Sequence, residues 1–219
     1  MIVRFQNRNE AGRLLAEKLA GYANRTDVIV LALPRGGVPV GQVVARALGV
    51  PFDVLVVRKL GVPGNEELAM GAIAAGGVRV LNRHVLDNWE LTGTDVKEAV
   101  EAGQAELLRR ERLYRHGRPM PDLHNRTVIL VDDGIATGST MRAAVAVLHE
   151  LRAGRIIVAS PVTARESYLE LRNLVSEFVT LGMPKNFDAV GQFYVDFRQT
   201  TDAEVRQLLE QEPHVLHAE

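Results

Sequence analysis

Short apolar runs recur along the chain, and most are followed by a stretch with helical spacing. Val28–Leu33, Val54–Val57, Val128–Val131 and Ile156–Ser160 show no polar alternation. That is the pattern of parallel strands covered on both faces. Val175–Leu181 reads as a further strand. Helices are expected between them. The first is capped by Asn7 or Asn9, with Leu14, Leu15, Leu19 and Tyr22 on one face. Others are Val38–Leu48, Thr94–His116 with Thr94 as its cap, Ser139–Leu151, Ala164–Leu171 and a closing Asp202–Leu209. Strands alternating with helices imply βαβ units, right-handed crossovers and a parallel sheet.

Two regions break the pattern. Leu60–Asn82 is rich in glycine and lacks a period, which predicts a long, partly mobile excursion with a hairpin at Gly76–Gly77. After Pro184 the chain turns aromatic and extended. In a doubly wound sheet, ligands sit beyond the carboxyl ends of the strands. Pro34–Gly37, Arg58–Gly64 and Asp132–Thr140 all fall at such ends, so one composite site is expected there.

Composition narrows the choice of chemistry. The chain has 219 residues, 47% of them hydrophobic, enough for one α/β domain with a modest appendage. Its net charge of -1 argues against bulk nucleic acid or an anionic membrane as main partner. There are no cysteines, so disulfides, thiol nucleophiles and thiolate metal sites are excluded. MIVRFQNRNE carries no signal-peptide pattern, and no apolar run approaches the roughly 18 residues of a membrane span. A cytoplasmic location is the expectation. Arg109–Arg118 holds five arginines, but aromatic residues for base stacking are missing apart from Tyr114, so a solvated helix face is expected. His214 and His217 read as tail residues rather than metal ligands, Trp89 as a packing residue, and Glu66 and Glu67 as solvated charges.

The densest chemistry lies in VILVDDGIATGST, Val128–Thr140. Backbone N–H groups at a helix N-terminus, bare of large side chains, form an anion site. Thr137, Ser139 and Thr140 add hydroxyl donors. Asp132 and Asp133 would repel phosphate, so they serve as acceptors for sugar hydroxyls or for a divalent cation. A phosphate pocket beside two diol acceptors suits a ribose 5-phosphate group. GxxxxGK[ST] is absent, and LPRGGVPVG does not supply GxGxxG, so neither a P-loop nor a dinucleotide fingerprint competes. A receiver-type domain would leave TGST without a use.

The same loop closely resembles the 5-phosphoribosyl-1-pyrophosphate motif of the type I phosphoribosyltransferases. The resemblance implies that family's Rossmann-like α/β fold with a parallel sheet, a lid and a small hood. Within one domain, 1–219, the core would cover about 24–183, the lid and helical insertion 58–120 and the hood 184–219. Asp132 and Asp133 would bind the ribose 2′- and 3′-hydroxyls, with Asp133 also placed to take a proton from the acceptor. Gly134 and the segment Ile135, Ala136, Thr137, Gly138, Ser139 and Thr140 would wrap the 5-phosphate. Arg35, Gly36 and Gly37 stand where the family holds pyrophosphate, often on a strained peptide, expected here between Arg35 and Gly36. Arg58, Lys59 and the excursion after them resemble the mobile loop that keeps water from the reaction.

KNFDAVGQFYVDF, residues 185–197, loosely resembles the hood of the purine 6-oxo subgroup, with Phe187 in the stacking position and Asp196 reaching the metal through water. The lysine that this subgroup uses to read the 6-oxo group is missing from PVTARES, so a purine acceptor does not follow. The implied reaction is Mg²⁺-dependent transfer of a phosphoribosyl group to a ring nitrogen or another nucleophile, with release of pyrophosphate. The alternatives are a non-catalytic nucleotide sensor on the same fold, or phosphorolysis or hydrolysis at the same site. A homodimer is left open.

Overall fold

A computed structural model describes residues 4–115 and 118–211, without the side chain of Glu67. His214, His217 and the expected helix end at His116 lie outside the described residues. In chain order the elements are α1 (Arg8–Lys18), β1 (Val28–Ala32), α2 (Gly37–Leu48), β2 (Phe52–Val54), β3 (Val57–Val62), β4 (Asn65–Ala74) and β5 (Arg79–Leu81). Then come α3 (Arg83–Asn88), α4 (Gly93–Arg115), β6 (Thr127–Val131), α5 (Ser139–Glu150), β7 (Arg155–Val162), α6 (Arg165–Leu171), β8 (Glu177–Gly182) and α7 (Asp202–Glu210).

Five strands form one parallel sheet in the order β2-β1-β6-β7-β8. The apolar runs are buried on both faces, as their lack of alternation requires. In β1, Val28, Val30 and Ala32 pack into the cluster that includes α2, whereas Ile29 and Leu31 pack with α5 on the other face. Each such side chain is worth about 1.5–3 kcal/mol when fully buried. The chain moves outward from β1 to β2 on one side and from β6 to β8 on the other. The crevice between the carboxyl ends of β1 and β6 is therefore the topological switch point. Ala32 pairs with Val131, so the loops that follow both strands leave side by side.

The first helix is capped by the side chain of Asn7, which accepts from Glu10 N–H at 3.0 Å. Leu15, Leu19 and Tyr22 are buried as expected, but Leu14 is 39% exposed and points away. The second strand sits earlier than its apolar run suggested, at Phe52–Val54, because Val57 already belongs to a different sheet. Thr92, not Thr94, starts α4: Asp95 N–H donates to the Thr92 hydroxyl at 3.3 Å, and the Asp95 carboxylate accepts from Thr92 N–H at 2.7 Å.

The glycine-rich excursion is folded. The strands β3, β4 and β5 make an antiparallel sheet, with the hairpin at Gly76–Gly77 where it was expected and a tighter one at Pro63–Gly64. Leu60 and Ile73 pack on α4 through Val100 and Leu107. Ala72 and Ala74 pack on α5 through Met141 and Ala144. The sheet is thus held between two helices. Its period is hidden in the sequence by small residues and by register shifts around Gly61. The buried Arg115 fastens the end of α4 to the main sheet, at 3.3 Å from Asp53 and donating to Val54 O at 2.5 Å.

Candidate functional site

The phosphate-type loop leaves β6 at the switch point and is anchored by its neighbours. Ile135 N–H donates to Val162 O at 2.9 Å, and Ala164 N–H returns a bond to Ile135 O at 2.8 Å. The Ser167 hydroxyl donates to Ala136 O at 2.5 Å, and Arg142 donates to Thr137 O at 3.2 Å. Fixed in this way, the loop carries Thr137, Ser139 and Thr140 to the mouth of α5, with the Thr137 and Ser139 hydroxyls 3.3 Å apart. Gly138 occupies the N-cap and gives no side-chain cap, so the first-turn N–H groups of α5 keep their donors turned to the crevice.

Asp132 and Asp133 lie at the base of this loop, and Asp133 N–H donates to the Asp132 carboxylate at 2.9 Å. Burial pushes the Asp132 carboxyl well above the usual range, and the adjacent Asp133 charge pushes it further. Asp133 is also raised by burial, with the cation of Arg8 pulling the other way. Arg8 Nε and Nη2 each lie 2.8 Å from Asp133 Oδ2. Tyr194 OH donates to Asp133 O at 2.6 Å. The glycines of Pro34–Gly37 have a steric role here. A Cβ on Gly36 would meet Asp133 Oδ2 at 2.1 Å, and one on Gly37 would meet Val131 O at 2.7 Å. Bare backbone lets the loops after β1 and β6 touch.

The peptide between Pro34 and Arg35 is cis, one bond before the Arg35–Gly36 bond expected from sequence. Arg35 turns toward Asp202 at the start of α7, 3.8 Å away. Asp202 also accepts from Tyr114 OH at 2.6 Å and from Arg109 at 3.4 Å. The Tyr114 hydroxyl bond, with Arg109 and Arg35 nearby, holds the Asp202 carboxyl below the usual range. Arg109 was expected only on a solvated face; one edge of that face is tied to the site.

Arg58 and Lys59 do not face one ligand together. They alternate along β3: Arg58 pairs with Ile73 on the α4 side, where its Cγ approaches Gly103, and Lys59 pairs with Ala72 on the α5 side.

The segment expected to form a hood, 184–219 in part, pairs with the residues that precede α1. Phe5 N–H donates to Phe193 O and Val195 N–H to Phe5 O, both at 2.8 Å. The segment that precedes α1 therefore runs as a short ladder beside residues 193–196. Val190 reaches down to Gly134, where a Cβ would lie 2.3 Å from Val190 Cγ1. Phe187 is half-buried, its ring 5.0 Å from that of Phe193 in the small hood cluster. Asp196 pairs with Arg198 at 3.0 Å rather than with the two site carboxylates. Among the described residues no group of three or more metal-type ligands forms, so the metal contact assigned to Asp196 draws no support from geometry. Sequence reasoning missed Arg8, Tyr194 and Asp202. Tyr194 lies in the 185–197 segment without having been singled out there, Arg8 and Asp202 sit in no motif, and each reaches the site across more than 60 residues.

Comparison with known proteins agrees with this geometry. The phosphoribosyl transferase domain model matches residues 2–198. A Mycobacterium tuberculosis protein, named provisionally as a phosphoribosyl transferase, is 45% identical over 202 residues in each of two strains. That match takes in 92% of this chain but 45% of the relative, so the chain spans about half the length of these curated relatives. The crystal structure of TT1426 from Thermus thermophilus superposes with a TM-score of 0.89 at 40% identity, over 96% of this chain and 100% of that one. No described helix is long and apolar enough to cross a membrane. With a five-stranded parallel sheet, a matching domain over nearly its whole length and the acid-rich loop at the switch point, the chain belongs to the phosphoribosyltransferase family.

Proposed function

We propose that the chain transfers the 5-phosphoribosyl group of phosphoribosyl pyrophosphate to a nitrogen of a nucleobase-like acceptor, with Mg²⁺ and with release of pyrophosphate. One observation carries the reading. Two adjacent carboxylates, Asp133 buried and Asp132 partly so, stand beside a helix N-terminus whose N–H groups take no side-chain cap. The first feature suits a ribose diol and the second a phosphate monoester, and both lie on the one loop that follows β6.

In this reading Asp132 and Asp133 accept from the ribose hydroxyls, while Gly134–Thr140 surround the 5-phosphate. Arg35, in the loop that touches Asp133 through Gly36, would release Asp202 and fork onto the pyrophosphate. The donor set fits a hard cation, being carboxylate oxygen without thiolate or imidazole. Asp132, which no cationic side chain contacts among the described residues, would hold Mg²⁺. When bound, the ion neutralises charge on the departing pyrophosphate. The protein's share is orientation, a fixed field and exclusion of water by the folded lid sheet. Phe187 and the hood would present the acceptor, and the cysteine-free chain fits a role in cytoplasmic nucleotide metabolism.

The test is exchange of labelled pyrophosphate into the donor, with and without candidate bases and amines, alongside a screen for donor-dependent pyrophosphate release. Release that depends on one acceptor class establishes the transfer. Tight donor binding without exchange or release under any acceptor would show a binding protein instead.

A further inference from the structure

We propose that Arg8 is a positioning residue that presents one oxygen of Asp133 to the ribose, a role that rests on the phosphoribosyl reading above. Both guanidinium contacts fall on the same atom, Oδ2, at 2.8 Å. That leaves Oδ1 as the oxygen able to accept a ligand hydroxyl. The carboxylate cannot swing away, because the Gly36 backbone stands against it and Tyr194 OH holds the Asp133 carbonyl.

Arg8 is itself fixed. Its third nitrogen, Nη1, donates to Arg198 O at 2.8 Å, and its guanidinium lies 4.1 Å from the centre of the Phe197 ring. Hood, first helix and ribose carboxylate thus meet in one side chain, of which 11% is exposed.

Stability alone does not account for this arrangement. Buried ion pairs are commonly replaceable by apolar groups at no net loss. Arg8 is also the first residue of α1, where a cation opposes the helix dipole. A methionine there could cover Phe197 without either cost. What it could not do is hold one carboxylate oxygen while leaving the other open.

The probes are ribose 5-phosphate, 2-deoxyribose 5-phosphate and 3-deoxyribose 5-phosphate, with inorganic phosphate as the control, each titrated into the full chain by calorimetry. Loss of a hydrogen bond to a charged group is worth about 10- to 150-fold in affinity. Wild type should lose that factor with whichever deoxy sugar lacks the hydroxyl Asp133 takes. Arg8→Met should erase the discrimination while leaving phosphate binding unchanged, and Arg8→Lys, which keeps the charge without the fork, should retain part of it. In an Asp133→Asn background, Arg8→Met should cost nothing further. If Arg8→Met keeps full discrimination, or costs the same with and without Asp133, the role is overturned. Should the methionine variant fail to fold, the lysine variant carries the same cycle. A wild-type chain that binds phosphate but none of the sugars sinks the phosphoribosyl reading itself, and the Arg8 role with it.

Discussion

Gly36 sets its bare Cα against the carboxylate of Asp133, so close that a Cβ would lie 2.1 Å from Oδ2. The backbone of Gly36 is ordinary, at φ -60 and ψ -36, so alanine is acceptable to it on conformational grounds. Gly36→Ala therefore tests contact alone. The added methyl has to displace the carboxylate, at a strain of about 1–3 kcal/mol. Donor affinity should fall at least about tenfold, measured by titration calorimetry, while the circular dichroism spectrum stays that of wild type. Unchanged affinity would mean that the carboxylate has no fixed place in binding.

Asp132 and Asp133 are neighbours whose asparagine variants should differ in stability, because only Asp133 has a cationic partner. The Asp132 carboxyl is raised by burial and by Asp133, so folding takes up a proton there. As pH climbs through that raised value, the folded chain acquires a buried charge that the unfolded chain carries freely in water, and stability falls. Asp132→Asn removes the cost. At neutral pH it should therefore melt at a higher temperature than wild type. The gain should vanish as pH falls to the ordinary aspartate range of about 3.9. The Asp133 carboxyl is raised as well, but Asp133→Asn also strands the buried Arg8, so it should gain less than Asp132→Asn or lose stability. Melting curves of both variants across pH decide the matter, and donor binding should weaken in both.

Alternation along β3 separates two basic residues that sequence alone groups together. Lys59 shares the α5 side of the lid sheet with Ala72, and α5 begins at the phosphate loop. Lys59→Ala should weaken donor binding about tenfold or more, the loss of a charge-assisted bond. Arg58→Ala, on the α4 side against Gly103, should leave donor affinity unaltered. Equal losses from the two would contradict the strand geometry.

Arg35 pairs with Asp202 at 3.8 Å, so on the proposed reading Asp202 should compete with pyrophosphate for it. Both side chains are about a third exposed, at 34% and 29%, so the pair is worth about 0.2–1 kcal/mol. Asp202→Asn keeps an acceptor for Tyr114 OH but drops the charge. Pyrophosphate should then bind about 1.5- to 5-fold more tightly, read from product inhibition or direct titration. No change would show that Arg35 does not leave Asp202 for the ligand.

The legible parts of this molecule were those whose cause is local. Val28–Leu33 and Val128–Val131 read as buried parallel strands because both faces of a run are apolar at once. Asp132–Thr140 stood out because its acids, glycines and hydroxyls are adjacent in sequence, and the structure sets them on one loop at the switch point. The β3–β5 sheet could not be read as ordered: Gly71, Ala72 and Ala74 are too small to mark a face, and its ridge residues, Leu60 and Ile73, pack on Val100 and Leu107 of a helix 27 to 47 residues further on. Arg8 gave no signal for the same reason. An arginine near the start of a first helix looks solvated until residue 133 is brought beside it.

The ladder between Phe5 and residues 193–195 also has a consequence for synthesis. At about 5–20 residues per second, the end of the chain that pairs with Phe5 leaves the ribosome roughly 10–40 s after Phe5 itself. Through that interval the first helix is available, but the backbone it must join does not yet exist. Arg8 meets its carbonyl partner only across 190 residues of sequence. The Asp133 carboxylate therefore cannot be fully held until residues 194–198 have been made, long after the helix that carries Arg8.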